Sequence, residues 1–184
     1  MTLDGTSGER EDGVGATRWD VAFDSEEDLA SAAGETARRW AHASLAPLVV
    51  ALRGDLGSGK TTWVRAMLRG LGHRGRVPSP TYTLVEHYRL PEAGLTVVHL
   101  DLYRLADDAE LDNLGFRDWL DEPATWLLVE WPERSAGLEA LADVELRLEI
   151  VGPASRRVRA SAKTARGRAA VDLMPADGSC RPTG

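Results

Sequence analysis

Leu48-Val49-Val50-Ala51-Leu52-Arg53-Gly54-Asp55-Leu56-Gly57-Ser58-Gly59-Lys60-Thr61-Thr62-Trp63-Val64-Arg65-Ala66-Met67-Leu68-Arg69-Gly70 is the stretch that decides the fold. Leu48–Leu52 is an apolar run of the length of a buried strand. Gly54 to Thr61 fits the P-loop pattern G-x-x-x-x-G-K-[ST] at every position. Thr62–Arg69 is competent to form a helix and is closed by Gly70. Strand, glycine loop and helix in that order are the context the pattern requires; the plain alternative is a glycine-rich turn that binds nothing. In the P-loop reading, the backbone of Asp55, Leu56, Gly57, Ser58, Gly59, Lys60, Thr61 and Thr62 forms a nest for phosphate oxygens, and the helix adds its positive end. Lys60 reaches the β- and γ-phosphates, and the Thr61 hydroxyl holds Mg²⁺.

Outward from the loop, the chain reads as one domain of 184 residues, with 43% hydrophobic and 28% charged residues. A net charge of -7 argues against broad coating of nucleic acid. Lys60 and Lys163 are the only lysines, which sets the loop lysine apart. The single cysteine, Cys180, permits no disulfide within the chain. No apolar run approaches the about 18 residues of a membrane span, so a cytoplasmic protein is expected.

Residues 1–17 are polar and glycine-rich and are read as a disordered extension. Arg18–Phe23 alternates like a strand, and Ser25 is placed to cap a helix from Glu26 to Ala43. Arg65, Arg69, His73, Arg74 and Arg76 form a basic stretch after the P-loop helix: a solvated surface, or a docking patch for RNA or an acidic partner. Ser79-Pro80-Thr81-Tyr82-Thr83-Leu84 follows, where Thr81 and its neighbours can offer hydroxyls to a metal or a γ-phosphate; the bland reading is a turn into the strand Thr83–Tyr88. Pro91–Gly94 reads as a hairpin turn, and Ala106–Leu120 as helix broken at Gly115. Val144–Ile150 alternates as a half-exposed strand, with Arg157–Ala162 as its partner. Residues 163–184 are small and polar and are read as a disordered tail, and deleting 1–16 and 168–184 is expected to leave the melting temperature within a few degrees.

Two strands end in a carboxylate. Glu130 follows the uniform run Trp126–Val129, as a central parallel strand should. Asp101 follows a less uniform run that leaves the hairpin. Glu130 is therefore favoured for the metal, and Asp101 for orienting water or the Ser79–Thr83 loop. The Glu130–Arg134 loop, with Trp131, Pro132 and Glu133, is counted in the nucleotide site. For either acid the bland reading is a cap on the next turn.

Four signatures thus stand in order: Gly54–Thr62, Ser79–Leu84, His99-Leu100-Asp101-Leu102-Tyr103-Arg104, and Val129–Glu133. Over about residues 18–162 the chain resembles the bacterial TsaE (YjeE) family. Ser58 stands where alanine is common in that family. The resemblance implies a single-domain α/β P-loop NTPase with a central, mixed, mostly parallel sheet flanked by helices. It implies an ATP hydrolase, slow alone, that uses ATP and Mg²⁺ in threonylcarbamoyladenosine modification of tRNA beside the anticodon. Its partners would be TsaB and TsaD, with tRNA met only through that complex, and neither DNA nor membrane. By the same resemblance Lys60, Asp101 and Glu130 are catalytic, Thr61 and Glu130 hold the metal, Trp131 is needed for activity, and Arg156 contacts nucleotide. Glu27 would help enclose the base.

A P-loop small-molecule kinase is the main alternative, but little chain remains to build a lid and acceptor pocket. A GTP-binding switch lacks its N-K-x-D signature, because Leu114 follows the only asparagine, Asn113. A non-hydrolysing scaffold fits poorly with intact Lys60, Thr61 and Glu130.

Overall fold

A computed structural model describes residues 18–113 and 115–176. Seven strands form one sheet in the order β1-β7-β6-β2-β5-β4-β3. They are β1 (Arg18–Phe23), β2 (Leu48–Arg53), β3 (Val85–Leu90), β4 (Leu95–Asp101), β5 (Thr125–Glu130), β6 (Val144–Ile150) and β7 (Arg156–Ala162). The centre, β6-β2-β5-β4, is parallel, while β3, β7 and β1 join antiparallel at the edges. The fold is thus the expected α/β arrangement with helices on both faces.

The strand that opens the P-loop is central because both of its faces are apolar. Leu48, Val50 and Leu52 join one core with Trp63, Trp126 and Leu128. Val49, one residue out of phase, joins a second core with Val98, Leu127 and Val129. Alternate side chains point to opposite faces, so each side of β2 buries against its own layer.

Helices α1 (Glu26–His42) and α2 (Lys60–Gly70) cover the first face. The Ser25 hydroxyl caps α1 by accepting the Asp28 N–H at 3.1 Å. The two helices cross at a pair of glycines. A Cβ on Gly70 would lie 2.4 Å from the Gly34 carbonyl oxygen. Gly70 therefore does more than end its helix: it lets two backbones touch. The second face carries the short helices α3 (Asp108–Asn113) and α4 (Phe116–Asp121), parted at Gly115 as expected, and α5 (Ala136–Ala140).

The expected hairpin Pro91–Gly94 joins β3 to β4. β3 itself runs over Val85–Leu90 rather than Thr83–Tyr88, because Leu84 takes a left-handed φ of 60° and ends the preceding loop. β4 is both a hairpin strand and a parallel central strand, buried from Val97 to Asp101. The reason given above for ranking Asp101 second was a less uniform run leaving a hairpin; the hairpin is there, but it does not keep Asp101 from ending a buried parallel strand.

The expected tail is corrected too. Residues Ala165–Asp172 form helix α6, capped by the Thr164 hydroxyl. Ala170, Val171 and Met174 are buried in the first core. The indole N–H of Trp40 donates to the Ala170 carbonyl at 2.7 Å, and that of Trp19 to the Pro175 carbonyl at 2.6 Å. Gly167 permits this contact, since a Cβ there would sit 1.8 Å from the Asp143 carbonyl oxygen. The reading of residues 1–17 and 177–184 as disordered lies outside the described residues. Among the described residues no helix is long and apolar enough to cross a membrane.

Candidate functional site

The P-loop lies where β2 meets α2. Gly54 has φ 142° and Gly59 φ 105°, both left-handed. A Cβ on Gly54 would lie 2.2 Å from the Leu148 carbonyl oxygen, so the loop can press against β6 only with glycine there. Gly59 heads α2 with no side-chain cap, and no acidic residue stands in the first turn. The first N–H groups of α2 are thus left for an external acceptor. This is a cradle for an anion.

Lys60 heads that helix and is almost wholly buried. Its Nζ donates to the carbonyls of Gly54 at 2.6 Å and Asp55 at 3.0 Å, and it lies 3.9 Å from the Trp131 ring centre. Burial holds the ammonium pKa below the ordinary lysine value, against the opposing pull of Glu130, Asp101, Glu133 and Asp55. Trp131 reaches this position with φ 58°, a backbone state that costs a non-glycine residue of order 1–3 kcal/mol. Such strain is kept where the surroundings over-determine it. Here the Tyr103 ring packs against the indole, with ring centres 5.1 Å apart.

Asp101 and Glu130 lie side by side, because β4 and β5 are parallel and in register at their ends. Glu130 Oε1 accepts from the Thr61 hydroxyl at 2.8 Å and contacts His99 Nε2 at 2.8 Å. Asp101 Oδ2 accepts from the hydroxyls of Ser79 at 3.0 Å and Thr81 at 2.7 Å, and Oδ1 accepts the Tyr103 N–H at 3.1 Å. The acids divide the work: Glu130 faces the head of α2, and Asp101 grips the Ser79–Thr83 loop. A carboxylate and a hydroxyl form a hard oxygen set. Such a pair suits Mg²⁺, which keeps several waters and takes phosphate oxygens besides one or two carboxylates. No group of three or more His, Cys, Asp or Glu among the described residues forms a protein-only metal cage.

A cleft of about 400 Å³ opens over these groups. Of the expected site residues, Leu56, Gly57, Gly59, Lys60, Thr61, Thr62, Thr81, Asp101, Glu130 and Trp131 line it, with Ser79, Tyr103 and Arg104. Arg156 reaches the loop from β7 and donates to the Gly57 carbonyl at 3.1 Å. Asp55 lends its backbone carbonyl to the loop, as the acceptor of the Ser58 N–H at 3.1 Å, while Ser58 is buried behind it. Pro132 and Glu133 are not brought to the cleft wall: Pro132 is buried in a 3₁₀ turn, and Glu133 pairs with Arg53 at 3.1 Å. Glu27 lies instead beside a neighbouring groove between α1 and α2.

Sequence reasoning gave His99 no role. Its position two residues before Asp101 on one strand puts both on the same face, which was the available signal.

The family model described as threonylcarbamoyl adenosine biosynthesis protein TsaE matches residues 23–159. The chain belongs to the TsaE family. Relatives carrying the name tRNA threonylcarbamoyladenosine biosynthesis protein TsaE include that of Haemophilus influenzae, 45% identical over 121 residues, covering 66% of this chain and 74% of the relative. The TsaE of Aquifex aeolicus is 35% identical over 142 residues, covering 76% and 93%. The crystal structure of Bacillus subtilis YdiB aligns with TM-score 0.66 over 86% of this chain and 95% of that one; at 22% identity it speaks for the fold alone. The TsaE family serves tRNA threonylcarbamoyladenosine biosynthesis, and this member keeps the P-loop nucleotide-binding architecture.

Proposed function

We propose that this chain is the Mg²⁺-dependent ATPase of threonylcarbamoyladenosine modification of tRNA, acting as a nucleotide-driven switch on TsaB and TsaD. The observation that carries the reading is the meeting of Thr61 and Glu130 at 2.8 Å beside the uncapped head of α2. In this account the loop N–H groups and Lys60 bind the β- and γ-phosphates. Thr61 and Glu130 would hold Mg²⁺, which would neutralise charge on the phosphates when bound. Asp101 orients the attacking water or holds the Ser79–Thr83 loop in its sensing position. Trp131 closes over Lys60, and Arg156 steadies Gly57 while facing the nucleotide.

What the site contains supports the switch reading. Asp101 ties the Ser79 and Thr81 hydroxyls to the end of a rigid strand, so a change at the γ-phosphate is felt by that loop. Among the described residues the cleft offers a nucleotide site but no second set of nucleophile and acceptor pocket for carbamoyl transfer. Hydrolysis must then be read as a change of shape by a partner, and ATP must strengthen partner binding by linkage.

The test measures phosphate release with and without TsaB–TsaD, alongside light scattering of the mixture under ATP, ADP and no nucleotide. Slow release alone, a faster rate with the pair, and tighter association under ATP are expected. Equal association in all three conditions, with no rate change, would overturn the switch.

A further inference from the structure

His99 sits in the middle of the site and has no place in the account so far. It is completely buried, one of few polar residues that are among those described. Its Nε2 lies 2.8 Å from Glu130 Oε1, and its Nδ1 has no hydrogen-bond partner among the described residues. A core histidine kept for packing alone would be expected to satisfy both ring nitrogens. This ring is held by one polar contact, and that contact is to the carboxylate assigned to the metal. A carboxylate only accepts, so Nε2 carries the proton and donates.

The same Oε1 also accepts the Thr61 hydroxyl. Both donors converge on one oxygen, and Oε2 takes no hydrogen bond from the described residues. Glu130 lines the cleft, so the free oxygen is the one left for a ligand. The wall behind His99 is rigid: β4 is hydrogen-bonded to β3 on one side and β5 on the other, and His99 pairs in register with Leu128.

We propose that His99 is a positioning residue, donating from Nε2 to Oε1 of Glu130 so that Oε2 is held toward the Mg²⁺ position. The proposal rests on the metal reading of Glu130 given above. A donor of this kind fixes a ligand's rotamer before the ion arrives, so its loss is read mainly in metal affinity.

The test titrates Mg²⁺ against binding of a fluorescent, non-hydrolysable ATP analogue to the full chain and its variants. Glu130→Gln tests the underlying reading: an unchanged Mg²⁺ midpoint there removes the metal role and the His99 role with it. With Glu130→Gln shifted, His99 is tested separately. His99→Leu keeps bulk without a donor and is expected to raise the midpoint about tenfold or more, with metal-free analogue binding kept. His99→Gln, whose amide N–H reaches the place of Nε2, is expected to stay close to wild type. His99→Asn, whose amide falls short of that place, is expected to shift like the leucine variant and replaces it if that variant does not fold. Gln and Asn variants that behave alike, both shifted or both unshifted, would overturn the positioning role while leaving the metal reading of Glu130 in place.

Discussion

The Thr61 hydroxyl donates to Glu130 Oε1 at 2.8 Å, although 69 residues separate them in the chain. The contact exists because β2 and β5 are parallel neighbours, paired Leu52 with Glu130, and α2 begins just past the end of β2. Two strand ends and one helix head thus place a hydroxyl, a carboxylate and an ammonium within one small volume.

Removing the ammonium should be decisive for nucleotide. Lys60→Ala is expected to weaken ATP binding by roughly a hundredfold, the scale of a lost charged hydrogen-bond donor. No second lysine can substitute, since Lys163 lies at the far end of β7 and pairs with Glu145 at 3.2 Å. Calorimetric titration of ATP–Mg²⁺ checks this. Wild-type affinity in the variant would contradict the P-loop assignment.

Asp101→Asn should separate binding from turnover. The variant keeps one acceptor oxygen for the Ser79–Thr81 loop but loses the charge that both hydroxyls share. Mg²⁺-dependent ATP binding is expected near wild type, with phosphate release down by about a hundredfold. Loss of the Mg²⁺ dependence in Asp101→Asn would reverse the roles of the two acids.

The C-terminal helix should prove structural. Deleting residues 165–184 uncovers Ala170's and Met174's packing sites and leaves the buried indole N–H groups of Trp19 and Trp40 without acceptors. A loss of at least about 3 kcal/mol is expected once ordering costs are set against burial. That corresponds to a fall of about 10 °C in Tm for a chain of this size. Thermal melts of the full and truncated chains measure it, and a change of only one or two degrees would show that α6 packs too weakly to matter.

The glycine pair between α1 and α2 should respond unequally. A Cβ at Gly70 meets backbone at 2.4 Å, whereas one at Gly34 has its nearest neighbour, the Ala66 carbonyl oxygen, at 3.4 Å. Gly70→Ala is expected to cost about 2 kcal/mol or more through overpacking. Gly34→Ala is expected to be near neutral, since a gain in helix propensity of up to about 1 kcal/mol offsets the tight contact. Denaturant unfolding of both variants decides it; equal effects would mean the helices are free to move apart.

Much of this architecture was legible in the chain, for identifiable reasons. The P-loop is a local pattern, complete at every position, and the apolar run before it has the two-sided character of a central strand. The hairpin at Pro91–Gly94 and the break at Gly115 are likewise written in residues that restrict the backbone. What could not be read is pairing. Nothing local to Asp101 or Glu130 says that their strands are neighbours, so their adjacency and the contact of His99 with Glu130 were invisible. The helix α6 was missed because its buried side includes Gly167 and Ala170, small residues whose burial leaves little hydrophobic signal. Thr164, which caps the helix by accepting the Gly167 N–H at 3.0 Å, was the cue available in the sequence. Pro132 and Glu133 were carried into the site by their neighbours Glu130 and Trp131, but the left-handed turn at Trp131 takes the chain away from the cleft wall.

The central claim is that Thr61 and Glu130 act together on one ion. A double-mutant cycle of Thr61→Val and Glu130→Gln, read as the Mg²⁺ midpoint for ATP binding, tests it most directly. Groups that serve one ion should be strongly non-additive: the double variant is predicted to be no worse than the worse single variant. Losses that add on a logarithmic scale, or a Glu130→Gln midpoint equal to wild type, would contradict the account.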